Sequence, residues 1–357
     1  MRKRSNNNQT MVTIRDIAKE AGFSASTVSI VLNEAPLSRY IRATTKRRIH
    51  EVARALGYSP NQLARSLRSQ RNHTVGAMVI DITDPFCTPI LRGIESALYQ
   101  ASYVPILADA HNDRARFERA LELLLERRVE GLIVIANWLF VDIDTLADLE
   151  RRSIPTAVIG RKLTETISSV QVDNEAGARI AMEHLHKLGH RKIAFIRGPK
   201  VLADSGQRWR GIRTFARAAG MSIDARLAVE LPNSFNPNHA FETAFRLTED
   251  LIRSGRDFTA LMAFDDITAL GAIRALLKAG KKVPEDCSVI GFDDVAPAAL
   301  SAPSLTTIRQ PMETMGACAV EIVMSAINAA LEKQEFTPVH RRLPPEIVVR
   351  ESTAKVR

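Results

Sequence analysis

Along the first sixty residues, apolar positions recur at the three- and four-residue spacing of short amphipathic helices. One helix is predicted to follow Thr13, which pairs with Asp16 as a capping box, a second to follow Ser24 as its N-cap, and a third to begin at Thr44 or Thr45. Their predicted buried faces are Ile14, Ile17, Ala18 and Ala21; Val28, Val31 and Leu32; and Ile49, Val52, Ala53 and Leu56. Two short helices joined by a tight glycine-containing turn form a helix-turn-helix.

From residue 73 onward, short apolar runs alternate with amphipathic stretches. The runs predict strands at 74–80, 103–108, 131–136, 155–160, 192–197, 260–264 and 288–292. The stretches predict helices near 87–101, 113–128, 175–188, 207–219, 238–254 and 267–279. This alternation is typical of βαβ units and parallel sheets. We therefore expect an α/β core at 73–357 with two similar lobes, the first about 73–170 plus 300–325, the second about 171–299 plus 326–350.

Composition adds the class of protein and its compartment. A chain of 357 residues, 45% hydrophobic and 25% charged, predicts a soluble globular protein of two or three domains. The three cysteines lie far apart and form no CxxC pair, so they are expected to be reduced packing residues. The basic start has no apolar segment of a secretion signal, and no apolar run approaches the roughly 20 residues that span a bilayer. These features predict a cytoplasmic protein without a membrane partner.

The positive charge is confined to one end of the chain. Residues 1–72 hold 14 Lys and Arg against four acidic residues, whereas the remainder holds 35 basic and 36 acidic residues. A basic segment joined to a near-neutral body indicates a polyanion partner, although solubility alone is the simpler alternative. We divide this segment into a basic disordered tail at 1–10, a helix-turn-helix DNA-binding domain at 11–58 and a hinge helix or linker at 59–72.

The start of the second predicted helix carries only small side chains. A helix that enters the major groove leads with its N-terminal residues, and long side chains there would block close approach. We predict base contacts from Ala25, Ser26 and Ile30. Phosphate contacts are expected from Thr27, Ser29, Asn33 and the amides of the helix start, and the caps Thr13 and Ser24 belong to the same DNA-binding surface. The alternative is a three-helix packing module whose small residues face another domain.

The stretch after Tyr58 predicts a further short helix with basic residues. Isolated helices below about 12 residues are marginal in water, so this one is expected to order on a partner helix and DNA. Leu67 is the candidate for a wedge between base steps in the minor groove, and a plain linker is the alternative. The predicted DNA-binding residues of this hinge are Asn61, Ala64, Arg65 and Leu67.

The segments VTIRDIAKEAGFSASTVSIVLN and GYSPNQLARSL resemble the DNA-binding head and hinge of the lactose-repressor/galactose-repressor family of bacterial transcription regulators. RRVEGLIVI, LGHRKIAFIRGP, ALGAIRALLKAGKKVPEDCSVIGFDD and PSLTTIRQP resemble that family's core in the same order. The resemblance implies a periplasmic-binding-protein-like clamp that closes around a small molecule. Two features depart from the family pattern: Ile30 replaces a polar or basic base reader, and the loop from Glu34 to Ala43 is a few residues longer.

Polar and aromatic residues follow the predicted strands, where ligands of open parallel sheets bind. Carboxylates accept hydroxyl protons, guanidinium donates to oxygens and aromatic faces cover apolar ring edges, which favours a sugar or similar polyol. A purine effector is the chemical competitor. The candidate effector-binding residues are Asp84, Phe86, Trp138, Arg161, Arg208, Trp209, Asp265 and Asp293. The family resemblance adds weight to Phe86, Arg208, Asp265 and Asp293, while a helix-capping Asp and a lobe-packing Trp209 remain the simpler interpretations.

No phosphate-loop, dinucleotide-binding, nucleophile-elbow or HExxH motif is present, and no cofactor or metal is predicted. His184, His186 and His190 are expected to be packing or surface residues. The leading hypothesis is a DNA-binding transcription regulator, a repressor controlled by a small molecule; a solute-binding protein and an enzyme are the alternatives. We expect a homodimer, without a leucine heptad to join dimers, in which the effector changes the angle between the lobes and hence operator affinity.

Overall fold

The structure is a computed structural model that describes residues 12–58, 71–136, 154–232 and 239–356. The chain divides into two compact units, Met1–Asn72 and His73–Arg357. The predicted tail at 1–10 and most of the predicted hinge at 59–72 lie outside the described residues.

The first unit is built from the helices α1 (Ile14–Ala21), α2 (Ala25–Leu32) and α3 (Ala43–Ala55), with a 3-10 helix, Pro36–Tyr40, before α3. The predicted caps of the first two helices are confirmed. Thr13 and Asp16 form a reciprocal capping box, and the Ser24 hydroxyl accepts a hydrogen bond from the Thr27 amide at 3.1 Å. α1 ends at Gly22 with φ 75°, a left-handed conformation that glycine adopts without steric cost.

The core of this unit contains most of the residues predicted for it. Ile17, Val28, Val31, Ile49 and Val52 are buried together. The prediction was wrong for Leu56, which is 38% exposed because it lies at the C-cap of α3 rather than on its buried face. α3 also begins slightly before the predicted threonines, with Arg42 at the N-cap.

The second unit contains two six-stranded sheets. The first sheet and its sequence neighbours comprise β1 (Thr74–Val79), α4 (Cys87–Gln100), β2 (Val104–Asp109), α5 (Arg114–Glu126), β3 (Gly131–Ile135), β4 (Thr156–Ile159) and β5 (Ser168–Val172). The second comprises α6 (Asn174–Lys187), β6 (Ile193–Arg197), α7 (Ala203–Ala218), β7 (Ala228–Glu230), α8 (Ala240–Arg253), β8 (Ala260–Ala263), α9 (Asp266–Lys278), β9 (Ser288–Asp293), α10 (Ala296–Leu300) and β10 (Thr306–Arg309). The chain ends with α11 (Met312–Glu332), β11 (His340–Leu343) and β12 (Glu346–Val348).

Both sheets are mainly parallel. The strand orders are β11-β5-β4-β3-β1-β2 and β12-β10-β9-β8-β6-β7, and in the second sheet β12 runs antiparallel to β10. Helices cover the buried strands, as expected for parallel sheets. The predicted α/β architecture of two similar lobes is confirmed.

The predicted division of the lobes was wrong in its later part. β10, which we had placed in the first lobe with 300–325, pairs with β9 in the second sheet. β11, which we had placed in the second lobe with 326–350, pairs with β5 in the first sheet. The chain therefore passes between the lobes after β5, after β10 and again after β11. These terminal strands are short and rich in Thr, His and Arg, so no apolar run marks them in the sequence.

The long helix α11 packs against α4 and the strands of the first sheet. Its backbone approaches that of α4 closely, because a Cβ at Gly316 would lie 2.3 Å from the Ile90 carbonyl oxygen. Contrary to the sequence analysis, this helix is long and apolar enough to cross a membrane, with a mean hydropathy of 1.5. Half of its apolar window is buried in the lobe, which is the packing of a core helix.

Candidate functional site

The start of α2 presents the small side chains on which the DNA prediction depends. Ala25 and Ser26 are exposed, while Thr27, Ser29 and Ile30 are half-buried. In the described part of the chain, the Ser26 hydroxyl has no hydrogen-bond partner. This end of the helix can therefore approach a flat or grooved surface without displacing a long side chain.

Other predicted DNA-binding residues also maintain the helices themselves. The Thr13 hydroxyl belongs to the α1 capping box and the Ser24 hydroxyl caps α2. The Asn33 amide donates to the Ser29 carbonyl oxygen at 2.9 Å and to the Ser29 hydroxyl at 3.1 Å, which closes the end of α2. These three side chains therefore stabilise the ends of α1 and α2, which sets the position of α2 in the helix-turn-helix. The hinge candidates Asn61, Ala64, Arg65 and Leu67 lie outside the described residues.

In the second unit, a cavity of about 180 Å³ lies at the carboxyl ends of strands from both sheets. The first lobe contributes the loop after β1, and the second lobe contributes the segments after β8, β9 and β10 and the start of α7. Its lining residues are Thr83, Asp84, Pro85, Phe86, Leu202, Asp204, Arg208, Phe264, Asp265, Ile267, Asp293, Val295 and Gln310. Ligands of open parallel sheets bind at this edge.

Five of the predicted effector residues, namely Asp84, Phe86, Arg208, Asp265 and Asp293, line this cavity. Trp209 does not: its ring packs edge-to-face on Phe195 at 5.6 Å, and the Arg197 guanidinium stacks on it at 4.5 Å. Successive residues of a helix point about 100° apart, so Arg208 and Trp209 face different surroundings.

Arg161 and Trp138 complete the predicted set. Arg161 is not among the lining residues, although its guanidinium lies near enough to Asp204 to lower the pKa of that carboxyl. Trp138 lies outside the described residues.

Several lining residues were not predicted from the sequence. Asp204 lies four positions before Arg208, so helical spacing places both on the same face of α7. Phe264 directly precedes the predicted Asp265. Gln310 could not be predicted as a strand-end residue, because it follows β10, a strand that the apolar pattern of the sequence does not predict.

Arg208 organises the second-lobe wall of the cavity. Its side chain is buried, and its guanidinium donates to the Asn174 side-chain oxygen at 2.8 Å and to the Phe264 carbonyl oxygen. It forms an ion pair with Asp293 at 3.5 Å and lies 3.6 Å from the centroid of the Phe292 ring. A guanidinium stacked on an aromatic face and fixed by several acceptors is held in one orientation.

Asp293 has an unusual backbone. Its φ is 115°, a region that residues with a Cβ rarely adopt, and the Gln310 amide donates to its carboxylate at 2.7 Å. Strained residues persist where surrounding contacts over-determine them, and they cluster at ligand sites. The neighbouring ion pairs of Asp294 with Arg309, at 2.6 Å, and with Arg350 hold the same turn.

Among the described residues, half-buried carboxylates outnumber cations around Arg208. Burial raises the pKa of Asp204 and Asp265 against the opposing effect of Arg208. Burial also raises the pKa of Asp293 well above its usual value, with Arg208 acting against the increase and Asp266 and Asp265 adding to it. Asp266 itself is held beneath the cavity, where its carboxylate accepts from the Thr307 hydroxyl and from the Val295 amide at 2.9 Å. The wall is therefore rich in hydrogen-bond acceptors.

The histidines near the end of α6 form packing contacts. His184 hydrogen-bonds with Thr353 at 3.0 Å, and His190 with Thr259 at 2.9 Å and the Ala354 carbonyl at 3.0 Å. His186 packs edge-to-face on Phe215. Within residues 12–58, 71–136, 154–232 and 239–356, no cluster of metal-ligating side chains is present.

A helix-turn-helix unit on the same chain as a two-lobed α/β core with a cavity between its lobes defines a ligand-responsive, DNA-binding transcription regulator. Residues 13–61 match the family model of bacterial regulatory proteins of the lacI family, and residues 182–353 match that of the periplasmic binding protein-like domain. This chain belongs to the lacI family of bacterial regulatory proteins. The family expected from the sequence segments is confirmed.

Similar proteins cover nearly the whole chain. The HTH-type transcriptional repressor PurR of Aliivibrio salmonicida is 32% identical over 348 residues, which span 97% of this chain and 100% of that protein. The ribose operon repressor of Escherichia coli K12 is 30% identical, over 92% of this chain and 98% of that protein. Among solved structures, the lac repressor dimer bound to operator and the anti-inducer ONPF superposes with a TM-score of 0.82 at 26% identity, covering 97% of this chain and 100% of that one.

Proposed function

We propose that this protein is a homodimeric repressor whose operator affinity is controlled by an uncharged, hydroxyl-rich small molecule, a sugar or sugar derivative, in the cavity between its lobes. The observation that carries the ligand class is the excess of carboxylates, Asp84, Asp204, Asp265 and Asp293, over Arg208, the one cation among the lining residues that the structure describes. Sugar hydroxyls donate to carboxylate oxygens and accept from a carboxyl group that has taken up a proton, whereas an anionic ligand finds no second cation among the described lining residues.

The aromatic side chains of the cavity support the same ligand class. Phe86 and Phe264 add apolar surface beside the acceptors, which suits the C–H edges of a sugar ring. Among relatives, a LacI-family regulator from Enterococcus faecium was solved with bound ribose, and the regulator CelR was solved with cellobiose.

A purine is the second candidate. The similarity to PurR favours it, and Phe86 or Phe264 could stack on a base whose N–H groups donate to the carboxylates. Thermal-shift measurements with neutral sugars, nucleobases and their phosphorylated forms separate the two. A specific ligand raises the melting temperature by mass action, so we expect a response to a neutral sugar; a response to a nucleobase alone would select the purine.

For the DNA step, we propose that two copies place their α2 helices in successive major grooves, since a two-fold operator matches a two-fold protein. Ala25, Ser26 and Ile30 contact bases, and Thr27, Ser29 and Asn33 contact phosphates. The hinge residues Asn61, Ala64, Arg65 and Leu67 complete the interface, and effector binding changes the lobe angle and thereby the separation of the two hinges.

We further propose that the protein acts in the cytoplasm and binds its effector without converting it. The relatives described above are repressors, and the Arg208 side chain is held by its contacts with Asn174, Phe264 and Asp293. Incubation of the protein with its ligand, followed by mass spectrometry, should return the ligand unchanged; appearance of a product would contradict this.

A further inference from the structure

The Pro36–Tyr40 turn, the 3-10 helix between α2 and α3, exposes large side chains on a small unit. Leu37 is 59% exposed and Tyr40 is 71% exposed. The Arg39 guanidinium lies over the Tyr40 ring, 4.7 Å from its centroid. Neither the predicted DNA contacts nor the core of the first unit uses these three side chains.

The turn is anchored to α2 by its backbone. The Ala35 amide donates to the Ile30 carbonyl at 3.1 Å, and the Ser38 amide donates to the Ala35 carbonyl at 2.7 Å. On the other side, Ile41 packs against the core of this unit. The position of Arg39 and Tyr40 is thus tied to that of α2.

The chain from the turn into α3 is rich in positive charge, with one carboxylate just before it, Glu34, and one just after it, Glu51. Between residues 35 and 50 the chain carries five Lys and Arg and no Asp or Glu. These cations, Arg39, Arg42, Lys46, Arg47 and Arg48, form no ion pair within the described residues. An unpaired guanidinium fixed on an aromatic ring presents its donors in a fork that matches a phosphate.

The direction of α2 brings the turn towards the DNA backbone. A recognition helix lies in the major groove with its N-terminal residues on the base edges. The carboxyl end of α2, and with it the attached turn, is therefore expected nearer to the phosphates that border the groove.

We propose that the Pro36–Tyr40 turn is a second DNA contact, in which Arg39, stacked on Tyr40, binds a backbone phosphate beside the groove that α2 enters. This inference rests on the proposed DNA-binding function and extends it to residues beyond the recognition helix. The contact adds affinity for duplex DNA of any sequence, since phosphates carry no sequence information.

The test uses the full chain and a labelled 30-base-pair duplex of mixed sequence, measured by fluorescence anisotropy between 50 and 200 mM KCl. Each lost phosphate contact lowers the magnitude of the slope of log K against log salt by about 0.9, so Arg39→Gln is expected to lower it by about 1.8 in a dimer that uses both turns. Over the fourfold range from 50 to 200 mM, a slope smaller by about 1.8 means that salt weakens the binding of Arg39→Gln about twelvefold less than it weakens that of the unaltered protein.

Three further variants separate the stack from the charge. Tyr40→Ala keeps the charge but frees the guanidinium, so affinity should fall with the slope retained, whereas Tyr40→Phe should match the unaltered protein. Arg213→Gln removes an equally exposed charge from α7 in the other unit and should change neither quantity. Circular dichroism checks that each variant is folded.

An Arg39→Gln slope equal to that of Arg213→Gln would overturn the proposal. The proposal would also be overturned if Arg39→Gln changed the sedimentation coefficient of the protein but retained the slope of log K against log salt. That result would show that the turn contacts another protein chain and not DNA. Failure of the unaltered protein to bind any duplex would remove the DNA-binding function as well, an outcome that the unaltered protein alone reveals.

Discussion

Replacement of Arg208 by Met removes the one cation among the described lining residues of the cavity and keeps most of the side-chain length. It deletes the hydrogen bonds to Asn174 and Phe264 and the ion pair with Asp293, and it leaves that carboxylate buried. Breaking a buried ion pair costs about 3–5 kcal/mol, and the lower end applies because Asp293 can take up a proton.

A loss of about 3 kcal/mol lowers the melting temperature of a domain this large by roughly 6 °C. The loss depends on pH. Arg208 opposes the increase in the pKa of Asp293, so its contribution is present while Asp293 is ionised and is lost as the pH falls through that pKa in the folded protein. The difference between the variant and the unaltered protein should therefore narrow on acidification.

Differential scanning calorimetry between pH 4.5 and pH 7.5 measures both effects, with Arg213→Met, an exposed arginine of the same helix, as the matched control. A decrease below about 1 °C, or one that is the same at every pH, would refute the role assigned to Arg208 in holding the carboxylates.

Three further changes have defined outcomes. Asp265→Asn keeps an N-cap for α9 but removes a half-buried carboxylate whose pKa is raised by desolvation. The free energy of unfolding of the unaltered protein falls as the pH rises above the pKa of Asp265 in the unfolded chain, so the advantage of the variant in chemical denaturation should grow towards neutral pH while effector binding weakens. A variant less stable than the unaltered protein at pH 7 would contradict this. Gly316→Ala places a Cβ against the Ile90 backbone and should lower the free energy of unfolding in urea by about 1–3 kcal/mol. At Gly206 an added Cβ would lie 3.9 Å from its nearest neighbour, so Gly206→Ala should be neutral or stabilising by up to about 1 kcal/mol. Equal effects of the two substitutions would be inconsistent with the close contact between α11 and α4. Ser24→Ala removes the N-cap of α2 and should lower the free energy of unfolding by about 1 kcal/mol, with faster hydrogen exchange of the Thr27 amide. Ser24→Asp should preserve the cap, and unchanged exchange at Thr27 in Ser24→Ala would count against the cap.

Local signals explain what could be predicted. The caps at Thr13 and Ser24 and the apolar runs of the buried strands depend on residues near in sequence, so both the head and most of the core follow from pattern alone. Strands β10, β11 and β12 could not be predicted, because they are short, partly exposed and rich in polar residues.

The cavity shows the same distinction. Residues directly after apolar strands, such as Asp265 and Asp293, were predictable because parallel strands bring their carboxyl ends together. The position of Gln310 depends on which strands are neighbours in the sheet, and the packing of Trp209 depends on which face of its helix meets the sheet. Neither arrangement can be predicted from a local sequence pattern. Asp204 could have been predicted, because its four-residue spacing to Arg208 places both side chains on the same face of a helix.

Titration calorimetry of the effector, with and without saturating operator, measures whether effector and operator are coupled through this protein. Coupling is reciprocal, so the two dissociation constants should differ by the same factor by which the effector changes operator affinity. Typical coupling free energies of about 1–3 kcal/mol predict a difference of roughly 5- to 150-fold. Equal dissociation constants would contradict the account.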